Sequence, residues 1–141
     1  MITNVHQLQS LYKSGERNFR GVDLSGLNLQ GIHLVSADFS YANLSGTNLG
    51  RADLRWTKLR GANLTNASCE YSNLRRSSLC HADLTNANLY AADLRAANLF
   101  GAHLNGSRLI EADLWGAIAP DGGTVSFDML AGFASALAAA G

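Results

Sequence analysis

The chain has 141 residues, an apolar content of 47% and a formal charge of zero from 11 basic and 11 acidic residues. This length predicts a single domain, and the balanced charge gives no reason to expect nucleic acid or an anionic membrane as a partner. The sequence begins without the basic and apolar segments of a secretory signal, and no apolar run is long enough for a membrane span. With only two cysteines, a disulfide scaffold is not expected, so we predict a cytoplasmic protein with free thiols.

The first predicted element is a short helix within residues 1–15. Apolar residues recur at helical spacing between a suitable N-cap, Asn4, and a suitable end, Gly15. These apolar positions are Val5, Leu8, Leu11 and Tyr12. The helix is expected to cover the start of the domain that follows, and the alternative is that it binds a partner.

Residues 16–118 repeat a five-residue unit without an insertion. From Phe19 to Leu114 every fifth residue is apolar, and these twenty positions hold seventeen Leu, two Phe and one Cys. We call this position the centre of the unit. The residue two places before the centre is Ala, Ser or Thr in sixteen units, and the residue one place before it is Asn or Asp in fourteen. The unit therefore has the form Ala-(Asp/Asn)-Leu-x-x.

A backbone that bends once in each unit brings all these centres to one side. In an α-helix, a step of five residues is about 500°, so the centres would spiral around every face. In a flat strand, alternate centres would point to opposite faces. Four bends close a square coil of twenty residues with the centres and the small residues inside. The Asn and Asp side chains are expected to bond nearby backbone groups at the corners.

The repeat resembles that of the pentapeptide-repeat family, from about Phe19 to Leu114. The resemblance implies an all-β solenoid, a right-handed quadrilateral β-helix of about five coils. Residues 15–21 and 116–122 resemble the ends of bacterial, especially cyanobacterial, members. The resemblance to the family also implies a protein without enzymatic activity. Some members of the family bind type II topoisomerases and protect them from inhibitors.

Residues 119–141 form the last predicted element, where the five-residue period stops. The stretch from 125 to 140 is rich in alanine and apolar residues and has Asp128 as its only charge, which predicts a helical segment. A helix this apolar must be covered. It either caps the last coil or forms a homodimer contact, and the resemblance to topoisomerase-binding relatives, in which a C-terminal segment makes the dimer, slightly favours the second.

One side of the predicted coil carries a column of three arginines, because a step of twenty residues stays on one side. Arginine and tryptophan are frequent at protein interfaces, so this side is the candidate docking face for an acidic protein partner. The alternative is that the arginines form solvated ion pairs with the aspartates that precede them. Surface ion pairs of this kind contribute little to stability. The candidate partner-binding residues are Arg55, Arg75, Arg95, Trp56, Arg76 and Trp115.

No catalytic, cofactor-binding or metal-binding residues are predicted. The four histidines fall in different columns, Cys69 is expected to point inward and Cys80 outward, and a coil packed with leucine leaves no cleft for a substrate. We therefore predict a non-enzymatic protein–protein interaction or scaffold module that needs no cofactor. The alternative function is a gyrase-binding nucleic-acid mimic, which requires a strongly negative rod.

Overall fold

The computed structural model describes residues 1–126, in which one helix precedes a stack of coils. Helix α1 spans Val5–Lys13. Its N-cap is Asn4, whose side chain accepts a hydrogen bond from the backbone N–H of Gln7 at 2.9 Å. Gly15 follows the helix with a φ of 102°, a left-handed conformation that lets the chain turn into the first coil. The predicted helical segment of residues 125–140 lies outside the described residues, except Val125 and Ser126, which are not helical.

Helix α1 lies against the first coil through its apolar side. Leu8 is fully buried and belongs to the hydrophobic core, and Val5 and Tyr12 pack against that core. The Tyr12 hydroxyl donates a hydrogen bond to the carbonyl oxygen of Val35 at 2.9 Å, and the Arg17 guanidinium lies 3.6 Å from the centre of the Tyr12 ring. The helix thus supplies a donor to a carbonyl at the otherwise unpaired edge of the first coil.

The coils stack in register with a period of twenty residues. Parallel bridges join residues twenty apart, from the pair Asn18–Asp38 to the pair Asn98–Ile118. Hydrogen bonds run both ways between coils: the Leu24 N–H donates to the Asn43 carbonyl, and the Asn43 N–H donates to the Val22 carbonyl. Each bridge is a single residue, and within residues 1–126 none extends into a longer strand.

Every unit turns through a residue in the left-handed backbone conformation. A positive φ occurs two residues after each of the twenty centres, from Gly21 to Gly116, and twelve of these corner residues are not glycine. The N–H of the following residue donates back to the carbonyl of the centre, as Leu27 does to Leu24 at 3.2 Å. This hydrogen bond and the positive φ of the third residue are those of a type II turn.

The core is a continuous stack of the twenty centres. Each is at most 3% exposed, and the rings of Phe19 and Phe39 stack with their centroids 5.2 Å apart. The inward hydroxyls bond backbone carbonyls, as Thr47 does to Leu44 at 2.7 Å. No buried polar side-chain atom in the described part of the chain lacks a partner.

Two residues that the repeat predicted to face water are buried. Ser40 is 2% exposed, and Gly50 is also buried. Both follow a centre, and their column neighbours one coil away are long polar side chains. These neighbours are Arg20 and Arg60 for Ser40, and Gln30 and Glu70 for Gly50. A small residue between two long side chains of the same column is covered by them. The solvent exposure of a residue therefore also depends on the size of its column neighbours.

Alanine substitutions at Gly61 and Gly46 should separate backbone strain from side-chain contact. Both glycines have a positive φ, 62° and 63°, but an added Cβ would lie 2.7 Å from the Tyr41 ring at Gly61 and more than 4 Å from any atom at Gly46. Gly46→Ala should lower the free energy of unfolding by about 1 kcal/mol. Gly61→Ala should lower it further, because the Tyr41 ring must move away.

Urea unfolding of both variants, in the wild-type and Tyr41→Ala backgrounds, measures the two contributions. The excess cost at Gly61 should disappear when Tyr41 is alanine. An excess that persists without the Tyr41 ring would show that the ring does not pack on Gly61.

Candidate partner-binding face

One side of the coil, which we call the arginine face, brings the candidate residues together. It comprises the last four of the five levels on this side, residues 51–56, 71–76, 91–96 and 111–116, each of which begins and ends with a corner residue; the first level, residues 31–36, has no arginine. Bridges between Asp53 and Asn73, Asn73 and Asp93, and Asp93 and Asp113 hold the levels in register. One column holds Arg55, Arg75, Arg95 and Trp115, and the corner column after it holds Trp56 and Arg76.

The Asn/Asp column fixes the backbone beneath these side chains. All fourteen Asn and Asp residues that precede a centre accept a hydrogen bond from the backbone N–H two residues later. Asn73, for example, accepts from the Arg75 N–H at 3.1 Å. The predicted bonding of this column to nearby backbone is confirmed, and it anchors the backbone of each arginine in the column.

Two of the three arginines form ion pairs within their own unit. Arg55 Nε and Nη2 donate to Asp53 Oδ1 and Oδ2 at 2.8 and 2.7 Å, and Arg95 donates in the same way to Asp93 at 2.9 and 2.6 Å. The hydrogen bonds from these arginines are the main cause that lowers the pKa of Asp53 and Asp93. The arginine pKa values are raised by the same bonds. The alternative raised from the sequence, that the arginines pair with neighbouring aspartates, therefore applies to Arg55 and Arg95.

Arg75 differs from the arginines above and below it. Its unit has Asn73 where theirs have aspartate, and among residues 1–126 no carboxylate lies within 4.0 Å of its guanidinium. Arg75 is exposed, and its charge contributes to lowering the pKa of Asp93 in the next level. Its side chain is thus a solvent-facing cation at the middle of the face.

Cation–π pairs border the face at both corners. The Arg76 guanidinium lies 4.9 Å from the centre of the Trp56 ring, and the Arg51 guanidinium lies 4.7 Å from the centre of the Tyr71 ring. Trp56 is 56% exposed and Tyr71 is 49% exposed, so about half of each surface remains free for contact. The sequence prediction missed the Arg51–Tyr71 pair. Sorting the other corner column by steps of twenty would have found it.

The cysteines and the potential metal ligands of the described residues do not form clusters. Burial raises the pKa of the Cys69 thiol to about 12, and both cysteines are free, as predicted. Within residues 1–126, no three His, Cys, Asp or Glu side chains are grouped as metal ligands. The one helix in these residues is too short to span a membrane.

A cleft exists where none was predicted, at the N-terminal end of the coil. It is open, has a volume of about 560 Å³, and lies between the first residues of the chain and the first coil, where Ile2, Val22 and Leu27 line it. Asp23 is the only titratable side chain in its lining.

The chain matches a known family model and is similar to solved structures. A family model described as pentapeptide repeats matches residues 18–55, 57–95 and 87–119 with eight copies. The pentapeptide repeat protein Rfr23 from the cyanobacterium Cyanothece 51142 is 31% identical, with 79% of this chain and 93% of that chain covered and a TM-score of 0.71. A pentapeptide repeat protein from Nostoc PCC 7120 is 31% identical over 92% of this chain and 93% of its own, with a TM-score of 0.42.

QnrB1, a plasmid-mediated fluoroquinolone resistance protein, is 24% identical, with 71% of this chain and 59% of that chain covered and a TM-score of 0.45. No curated protein sequence matches the chain. The similarity to Rfr23, together with the family match, implies a right-handed β-helix solenoid.

Acid should destabilise the protein as its paired aspartates become protonated. The pKa of Asp93 is lowered from its ordinary 3.8, so its pairing stabilises the fold above about pH 4 and is lost as pH falls through the lower folded-state value. Asp93→Asn keeps an acceptor for the Arg95 N–H but removes the charge. The loss of thermal stability between about pH 5 and pH 2 should therefore be smaller in this variant than in the wild type.

Melting curves followed by circular dichroism across this pH range test the expectation. Asp121→Asn is the matched control, because Asp121 bonds the Gly123 N–H but has no arginine partner within residues 1–126. If Asp93→Asn and Asp121→Asn have the same pH dependence, the Arg95 pair does not contribute.

Proposed function

Since this chain belongs to the pentapeptide-repeat family, we propose that it is a non-enzymatic protein-interaction or scaffold module of the cytoplasm that docks a protein partner on the arginine face. Arg75 is the observation that carries the proposal. It is an exposed cation without a carboxylate partner among residues 1–126, and half-exposed Trp56 and Tyr71 lie at the two corners beside it. The few residues that carry most of the binding energy at interfaces are enriched in arginine, tryptophan and tyrosine.

The charge around Arg75 favours an acidic partner. Residues 51–80 contain six basic and only two acidic residues. The basic ones all lie on the arginine face, at its corners or on the adjoining side of the coil. They are Arg51, Arg55, Lys58, Arg60, Arg75 and Arg76. The zero net charge of the whole chain conceals this local excess of positive charge. Such an excess attracts a negatively charged surface.

The three arginines differ in what they can contribute to partner binding, because two of them already form ion pairs. A partner carboxylate that binds Arg55 or Arg95 must displace or share an aspartate already held at 2.6 to 2.9 Å. A carboxylate that binds Arg75 displaces only water and therefore gains more. We accordingly assign Arg75 as the principal anchor of the face.

Replacing Arg55, Arg75 and Arg95 together by serine should abolish capture of a specific partner from a lysate of the native host. Arg75→Ser alone should remove most of it, a reduction of about tenfold or more, because a buried charged anchor contributes about 2 kcal/mol or more. Affinity capture at equal bait concentration, quantified by mass spectrometry, measures the loss.

The control is the triple variant Lys13, Arg20 and Arg108 to serine, which changes the net charge equally but leaves the arginine face and the basic residues of 51–80 intact. Unchanged capture by the Arg55, Arg75 and Arg95 variant, or equal loss in both triple variants, would remove the face as the docking surface.

The alternative of a gyrase-binding nucleic-acid mimic is disfavoured by the same charges. A mimic of the DNA backbone needs a negative potential along the rod, whereas residues 51–80 are predominantly basic. The protein should therefore leave the supercoiling activity of purified gyrase unchanged at micromolar concentration, with or without a quinolone. Inhibition of supercoiling, or protection from the quinolone, would restore the alternative.

A further inference from the structure

The arginine face is divided along its length by the sign of its charge. Levels 51–56 and 71–76 carry four arginines and one aspartate, whereas levels 91–96 and 111–116 carry one arginine and three acidic residues. The charged residues of the second half are Asp93, Arg95, Glu111 and Asp113. One half of the face is therefore net positive, and the other half is net negative.

The same division appears in the size of the corner side chains. The corner column before the face runs Arg51, Tyr71, Ala91 and Glu111. The corner column after it runs Trp56, Arg76, Ala96 and Gly116. Bulky side chains thus occupy the four corners of the positive half. In the negative half, three of the four corners are alanine or glycine.

We propose that the partner of the arginine face is a second copy of this chain, docked antiparallel about a two-fold axis between levels 71–76 and 91–96. This inference rests on the docking role proposed above. Around such an axis each corner column meets the same column of the second copy in reverse order, so every contact occurs twice.

This arrangement joins opposite charges and fills small positions with large ones. Arg51 faces Glu111 of the second copy, and Tyr71 faces its Ala91. At the other corner, Trp56 faces Gly116 of the second copy, and Arg76 faces its Ala96. Of the four corner contacts, one therefore joins opposite charges, and three place a large side chain against alanine or glycine.

The middle columns are compatible with the pairing. Arg55 faces Trp115 of the second copy, and Trp115 is 55% exposed, so a cation–π contact forms there. Asp53 faces Asp113 and Arg75 faces Arg95, but Asp53 is already bound by Arg55, and Arg95 is bound by Asp93. In each like-charged pair one member is thus already paired within its own chain, and Arg75 is the charge that enters its contact without a carboxylate partner.

A second copy explains more of the face than other occupants do. An acidic peptide would use the positive half and leave the acidic half and its small corners without a role. A nucleic acid would be repelled by Glu111 and Asp113. Four levels spaced about 4.8 Å apart span less than about 20 Å, which places the interface among small and weak ones, with a dissociation constant in the micromolar range or above.

Charge exchange between Arg51 and Glu111 tests the pairing. Sedimentation equilibrium at roughly 10 to 500 µM should show a wild-type monomer–dimer equilibrium. Arg51→Glu and Glu111→Arg should each raise the dissociation constant by about tenfold or more, because each places like charges in both symmetric contacts. The double variant should return it to within about threefold of the wild type.

The volume of the corners provides a second measurement. Ala96→Trp should prevent dimerisation, because it places a large ring opposite Arg76 of the second copy. Trp56 shows that a corner accepts tryptophan at a φ of 62°, and circular dichroism verifies the fold of the variant. Lys13→Glu is the control, since it reverses an exposed charge on helix α1, outside the arginine face, and should leave the dissociation constant unchanged.

Three outcomes would overturn the inference: a wild-type monomer over the whole concentration range, a dimer that neither single charge reversal weakens, or singles that the double variant fails to rescue. Binding of polyglutamate to the monomer at Arg75 would assign the face to an acidic peptide instead. If the chain is monomeric but Arg75→Ser still loses its captured partner, the proposed function stands and only the self-pairing fails.

Discussion

The left-handed corner residue is the constraint on which the remaining structure depends. It occurs in all twenty units, and in twelve of them a side chain bears the strain that glycine would avoid. Burial of each centre contributes roughly 1.5 to 3 kcal/mol before chain entropy, and each turn is closed by a backbone hydrogen bond. These gains offset the cost of roughly 1 kcal/mol or more that a side chain with a positive φ adds at a corner, and tryptophan and arginine occupy such corners.

The centre column could be predicted from the sequence because only a bend at every fifth residue gives the centres a common inside. Leu64, Leu84 and Leu104 are buried for this reason, and Cys69 is buried although it is not a leucine. The corner conformation was not predictable from residue type. Trp56 and Tyr41 have low preference for a positive φ, and they adopt it because their place in the unit requires it.

Only part of the candidate site could be predicted from the sequence, for a related reason. A step of twenty residues located the column of Arg55, Arg75 and Arg95, but it treated the three arginines as equivalent. Their difference arises from one neighbouring residue, Asn73, which leaves Arg75 without the carboxylate that the other two bind. The exposure of each side chain also depended on the size of its column neighbours, as the buried Ser40 shows.

The register of twenty residues also has a consequence for how such a protein can change over evolutionary time. Duplication or loss of twenty residues lengthens or shortens the rod by one step of about 4.8 Å and leaves every other side chain on its own side. Loss of a single residue instead moves all later leucines out of the interior. Selection on a molecule of this kind should therefore tolerate whole-coil changes in length far more readily than small insertions.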